Sequence, residues 1–199
     1  MLEYYIVKFQ GGVLMLSSKF ICAGQEFSTY KNYVASPLFR KIFVIQDEPQ
    51  TGTLTIGCAG FYDVYINGKK ITKGILAPYI SNPDHIVYYD EYDITPLLKA
   101  GKNVLGIQLG NGMQNAPGGE IWDFDKADFR GAPSVAFSID VTDISMQNYH
   151  FEADQRVKTA PSGILFDDLR AGCFYDARNE KENWADIDFQ DVDWKSSEI

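Results

Sequence analysis

Hydrophobic and polar positions along this chain alternate with a period of two in short runs, and turn residues separate the runs. Thr53-Leu54-Thr55-Ile56 places every second side chain on one face, as a strand with one buried side requires. Strand-forming runs recur at residues 39–45, 53–58, 61–66, 86–89, 103–109 and 134–141, with almost no long helical period among them. This spacing predicts an all-β, antiparallel sandwich with a few short helical turns. The sharpest signal is Phe61-Tyr62-Asp63-Val64-Tyr65-Ile66-Asn67-Gly68-Lys69-Lys70-Ile71. Asn67-Gly68 predicts a tight hairpin, because a type I′ turn needs two residues that accept positive φ. Asp63 is expected to face outward on that hairpin, and Lys69, Lys70 and Lys73 to form a solvated face. Within residues 92–101, Thr95 is expected to cap a single helical turn that has Pro96 at its first position and Gly101 at its end.

The chain has 199 residues, enough to bury a full core, and it reads as one domain overall. Residues 1–20 read as a leader or edge strand, 21–150 as the sandwich core, and 151–199 as an extension toward a following domain. Apolar content of 45% argues against disorder. An aromatic share of 14% suits sheets and sugar-stacking surfaces alike. The net charge of -9 argues against a nucleic-acid partner, whose phosphates need a basic footprint, and leaves neutral glycans open. No run approaches the length of a membrane span, so a membrane partner is not expected. Met1-Leu2-Glu3-Tyr4-Tyr5 lacks a basic signal region, and the compartment is periplasmic or extracellular if a signal precedes it, otherwise cytoplasmic. Cys22, Cys58 and Cys173 form no CxxC pair; they read as buried free thiols, with one disulfide and a leftover thiol as the alternative.

Candidate chemistry concentrates after Leu109. Residues 110–133 lack periodicity yet are rich in Gly, Asp and aromatics, and a loop this long inside a domain is commonly functional. Asn111, Asn115, Glu120, Asp123, Asp125 and Asp128 offer oxygen ligands, while Trp122, Phe124 and Phe129 offer flat apolar faces. A sugar ring stacks its C–H face on an aromatic while its hydroxyls bind polar side chains, which makes Asn111, Asn115, Trp122, Asp123 and Phe124 the candidate carbohydrate contacts. Calcium needs six to eight converging oxygens; Asn111, Glu120, Asp123 and Asp125 are the candidate ligands, at a spacing unlike an EF-hand. The competing reading has Trp122 and Phe124 fold back over the sandwich edge and pin a long connector. Independent catalysis is not expected. His85 and His150 are far apart, no nucleophile or metal motif is present, and plentiful acids read as a solvated face. Asp167-Asp168-Leu169-Arg170 and Asp176-Ala177-Arg178 are expected to form structural ion pairs, the latter on one face of an extended segment.

Four ordered blocks give the chain a family resemblance. They are Ala59-Gly60-Phe61-Tyr62-Asp63-Val64-Tyr65-Ile66-Asn67-Gly68-Lys69 with Leu76-Ala77-Pro78; Tyr92-Asp93-Ile94-Thr95-Pro96-Leu97-Leu98 with Gly101-Lys102-Asn103-Val104-Leu105-Gly106-Ile107; Leu109-Gly110-Asn111-Gly112-Met113 with Trp122-Asp123-Phe124; and Ala160-Pro161-Ser162 with Phe166-Asp167-Asp168-Leu169-Arg170 and Tyr175-Asp176-Ala177-Arg178. Together they resemble the N-terminal domain of bacterial α-L-rhamnosidases of glycoside hydrolase family 78, over roughly residues 35 to 194. The resemblance implies a galactose-binding-like β-sandwich, or jelly roll, that precedes further sandwich domains and a catalytic (α/α)6 barrel. The inverting chemistry, with paired glutamates, belongs to that barrel. It implies a non-catalytic accessory role, binding or positioning rhamnose-containing glycans and packing on downstream domains, with no required cofactor and calcium as a candidate ion. Some related rhamnose-binding modules grip the sugar through bound calcium. The alternatives are a purely structural brace and a free-standing lectin-like module. The family often carries Trp where this chain has Met113, and Gly-Glu where it has Gly172-Cys173.

Overall fold

Alternation builds both sheets of this protein, whose computed structural model describes residues 19–81, 86–116 and 126–199. In β3 (Phe61–Ile66), Tyr62, Val64 and Ile66 are buried while Phe61, Asp63 and Tyr65 stand partly in solvent. Six strands form one sheet in the order β12-β9-β1-β6-β3-β4. They are β1 (Pro37–Ile45), β3, β4 (Lys69–Lys70), β6 (Gly101–Gly110), β9 (Lys158–Pro161) and β12 (Lys195–Ser196). The facing sheet holds β5 (Tyr89–Asp93), β2 (Pro49–Ala59), β7 (Ser134–Asp143) and β8 (Asn148–Glu152), in the order β5-β2-β7-β8. A separate hairpin pairs β10 (Ile164–Asp168) with β11 (Gly172–Tyr175). The neighbours pair antiparallel throughout, so the fold is the expected all-β sandwich.

The core between the sheets takes Phe39, Phe43 and Ile45 from β1, Leu54 and Ile56 from β2, and Val135, Phe137 and Ile139 from β7, among others. Each such burial stabilises the fold by about 1.5–3 kcal/mol before entropy is counted. The Asn67-Gly68 turn has the expected positive φ at both residues, 50° and 83°. Asn67 does more than turn the chain. Its amide donates to the Leu97 carbonyl at 2.8 Å and to Asn103 Oδ1 at 2.9 Å, and its Oδ1 accepts the Val104 N–H at 2.8 Å. Asp63 points outward as expected and pairs with Lys70 at 2.7 Å.

Four expectations are corrected. The strand expected at 86–89 lies at Tyr89–Asp93, because only there does the chain meet β2, from Gly57↔Tyr89 to Thr53↔Asp93. Its acidic residues are unusual for a strand but suit an exposed sheet edge. The helical turn is a 3-10 turn at Thr95–Leu97, capped at Ile94. Thr95 is not its cap: the Thr95 hydroxyl accepts the Gly52 N–H at 2.8 Å, a tertiary partner that local sequence does not disclose. Asp176 and Arg178 do pair, at 2.6 Å, but around a 3-10 turn at Ala177–Asn179 that Asp176 caps, in place of an extended segment. All three cysteines are free, with Cys22 and Cys58 buried and Cys173 exposed. Cys173 differs because β11 stands in solvent along its whole length.

The segment after residue 151 returns to the sandwich. β9 pairs with β1, and β12 pairs with β9. On the outer face of the six-stranded sheet, Trp184, Ala185 and Trp194 bury themselves against Leu38 and Ala160. Gly106 makes room for them, since a Cβ there would meet the Trp184 ring and the Ala185 side chain at 2.8 Å each. Arg40 fastens this covering segment. Its guanidinium donates to the carbonyls of Trp184 (3.1 Å), Asp186 (2.8 Å) and Phe189 (3.2 Å) and pairs with the Asp191 carboxylate. Among the described residues no helix is long and apolar enough to cross a membrane.

Candidate functional site

The ends of β6 and β9 and the starts of β1 and β3 meet at one end of the sandwich, through Phe61↔Gly110 and Pro37↔Pro161. The long connector from β6 to β7 leaves from here. Asn111, its first residue, is buried and held by Asp167 of β10. The Asp167 carboxylate accepts the Asn111 backbone N–H at 2.7 Å and its side-chain amide at 2.9 Å. Burial pushes the Asp167 carboxyl above the usual carboxylate range, while the Asn111 N–H pulls the other way. The clamp continues outward. Asn115 donates to Asn111 Oδ1 at 3.0 Å, Arg130 Nε donates to Asn115 Oδ1 at 3.1 Å, and the Arg130 guanidinium lies 5.1 Å from the centroid of the Phe27 ring. Gln114 ties the two arms of the connector together by donating to the Phe129 carbonyl at 2.6 Å.

A cleft of about 560 Å³ opens beside Asn111. One wall is the segment from Ala23 to Pro37; the other comes from β9 and from Trp194 and Lys195 at β12. Its volume falls in the range of small-ligand sites, and Glu26, Asp193 and Glu198 supply hydrogen-bonding groups of the kind a polyhydroxylated ligand uses.

The structure therefore brings two of the expected carbohydrate contacts together, Asn111 and Asn115, and shows their amides engaged with each other, Asp167 and Arg130. Trp122, Asp123 and Phe124 lie outside the described residues, as do Glu120 and Asp125 of the calcium set. Asn111, the remaining member of that set, has its Oδ1 already accepting from Asn115. Among the described residues no group of three or more His, Cys, Asp or Glu side chains converges as a metal site. Sequence reasoning missed Asp167 as the partner of Asn111, expecting an ion pair there. The only local hint was Asp167's place in a recognisable block, because the contact spans 56 positions. It also missed the segment 23–37, which has no periodic signal.

Comparison with known proteins assigns the family. Residues 47–199 match the family described as the alpha-L-rhamnosidase N-terminal domain. The chain belongs to this family. An alpha-L-rhamnosidase of Formosa agariphila is 32% identical over 162 residues, which are 80% of this chain and 17% of that protein. The chain thus spans about a sixth of the curated relatives it matches. The crystal structure of an α-L-rhamnosidase from Aspergillus terreus superposes with a TM-score of 0.80 at 24% identity, over 89% of this chain and 20% of that one. A lectin from Pleurotus ostreatus in complex with GalNAc shares the fold alone, with a TM-score of 0.53 at 19% identity over 97% of this chain and 45% of that one.

Proposed function

We propose that this rhamnosidase N-terminal domain is a non-catalytic accessory module of a larger α-L-rhamnosidase-like glycoside hydrolase. It helps to bind or position rhamnose-containing glycans and packs on neighbouring domains of the same polypeptide. The observation that carries the proposal is the family match over residues 47–199 in a chain that spans only 17% of its Formosa agariphila relative. The chemistry agrees. His150 is engaged with Asp140 at 2.7 Å on an exposed stretch of the four-stranded sheet. Hydrolysis, with inversion by paired glutamates, is assigned to a barrel elsewhere in the parent protein.

Glycan contact is assigned to the connector end of the sandwich, with Asn111, Asn115, Trp122, Asp123 and Phe124 as contacts. Calcium, if bound there, would be held by Asn111, Glu120, Asp123 and Asp125 and would present a hard cation to sugar hydroxyls. The committed amides of Asn111 and Asn115 favour a second reading, in which the connector is a brace with no glycan affinity. Calorimetric titration with L-rhamnose, alone, with calcium and then with chelator, separates the two. Saturable heat that Trp122→Ala or Asp123→Ala abolishes supports glycan contact at the connector. No heat in any condition sinks it and leaves the brace.

A further inference from the structure

Hairpin β10–β11 carries an aromatic cluster that the connector site does not use. Phe166 is buried at its centre, and Tyr33 lies 4.9 Å from it, Phe174 5.2 Å and Tyr30 6.2 Å, centroid to centroid. Tyr33 and Phe174 stand 5.5 Å apart with their planes at 56°. The three outer rings leave about half their surface in solvent: 54% for Tyr30, 48% for Tyr33 and 47% for Phe174. The tilted rings surround the buried Phe166 centre, and their exposed faces together are termed the cup.

We propose that this cup is a second carbohydrate subsite, in which Tyr33 and Phe174, flanked by Tyr30, stack on a rhamnopyranose ring of a neutral glycan. The proposal rests on the glycan-positioning reading above and places a contact where that reading has none. Three features select a sugar. The rings offer π faces to C–H groups, and the Tyr33 phenol adds a hydroxyl that can bond to sugar hydroxyls. A 6-deoxy sugar also brings a methyl group, which suits an apolar cup better than a hydroxymethyl group does.

The cup is also held in shape before any ligand arrives. The Ser28 hydroxyl donates to the Val34 carbonyl and accepts the Val34 N–H, both at 2.8 Å, which closes the loop that presents Tyr30 and Tyr33. Within it, Thr29 N–H donates to the Asn32 carbonyl at 2.7 Å. Asp168 accepts the N–H groups of Arg170 and Ala171 at 2.8 and 2.7 Å, fixing the hairpin turn. A preformed site avoids the ordering cost that weakens small-ligand binding.

The test is a titration of the whole chain with L-rhamnose followed by amide NMR and calorimetry. Shifts that cluster at residues 28–34 and 172–175, with Tyr33→Ala and Phe174→Ala each weakening binding about tenfold, support the cup. Tyr33→Phe keeps the stacking face and should lose far less than Tyr33→Ala. Shifts confined to the connector, with affinity unmoved in both alanine variants, overturn the cup and leave glycan positioning intact. No shift and no heat from the wild type overturn both. The NMR map needs no variant, so a poorly folding substitution does not blunt the test.

Discussion

Arg40 occupies a core position in β1, and no apolar side chain could replace what it holds. Its donors satisfy three carbonyls of the segment 184–189 and one carboxylate at 191. Arg40→Met would leave Asp191 without its cation and three carbonyls without a donor, an expected loss of about 3–5 kcal/mol in urea unfolding. Arg40→Lys should recover only part, since an ammonium cannot span the same fork of acceptors. Two carboxylates respond to pH in opposite senses. The Ser145 hydroxyl, at 2.6 Å, leads the bonds that hold Asp143 below the usual carboxylate range, with the Tyr149 hydroxyl and the Ser145 and Gln147 N–H groups adding to it. A carboxyl depressed in the folded state stabilises above its unfolded pKa and loses that contribution as pH falls through the folded value. The Tm of wild type relative to Asp143→Asn should therefore rise with pH through the acidic range and level off above the ordinary carboxylate pKa. Asp167 is raised chiefly by burial, so its folded form favours the proton. The Tm of wild type relative to Asp167→Asn should fall as pH rises above the ordinary carboxylate pKa.

Among elements, the hairpin of β3 and β4 was the most legible, because two adjacent residues state its turn in conformational terms. Even there, the alphabet of turns does not mention that Gly68 lies under the covering segment. A Cβ on Gly68 would sit 1.9 Å from Asp186 Oδ1, on a backbone already at φ 83°. Gly68→Ala is expected to cost about 1–3 kcal/mol from the backbone conformation alone, read as a lower denaturation midpoint. What the sequence hid was set by tertiary partners. β5 is made by its pairing with β2, Thr95 by Gly52, β9 by its pairing with β1 and β12 by its pairing with β9, and none of these leaves a local pattern. The candidate site divides the same way. Composition marked the connector as unusual, while the use of Asn111 and Asn115 as clamp residues depends on Asp167, whose role is visible only in space.

At the scale of the whole molecule, the sandwich presents two distinct surfaces near hairpin β10–β11, the connector end and the aromatic cup. They share one strand, since Phe166 centres the cup and its neighbour Asp167 clamps Asn111. Ligand bound to the folded state alone should raise the Tm. At a hundred times its Kd, L-rhamnose would add about 2.7 kcal/mol of stability, which a melt with and without sugar measures directly. The position of β1 has a consequence in time as well. Leu38 of this central strand faces Gln108 on one side and Ala160 on the other, so neither of its neighbours is near it along the chain. Such a sheet closes large loops before contact rewards them, and refolding is expected on the millisecond-to-second scale of non-local β topologies. The covering segment packs on Leu38 of β1 and Ala160 of β9, so its docking is expected to follow the pairing of those strands. Arg40→Met should then speed unfolding in stopped-flow measurements and leave refolding nearly unchanged, so that one arginine sets how long the folded sheet lasts more than how fast it forms.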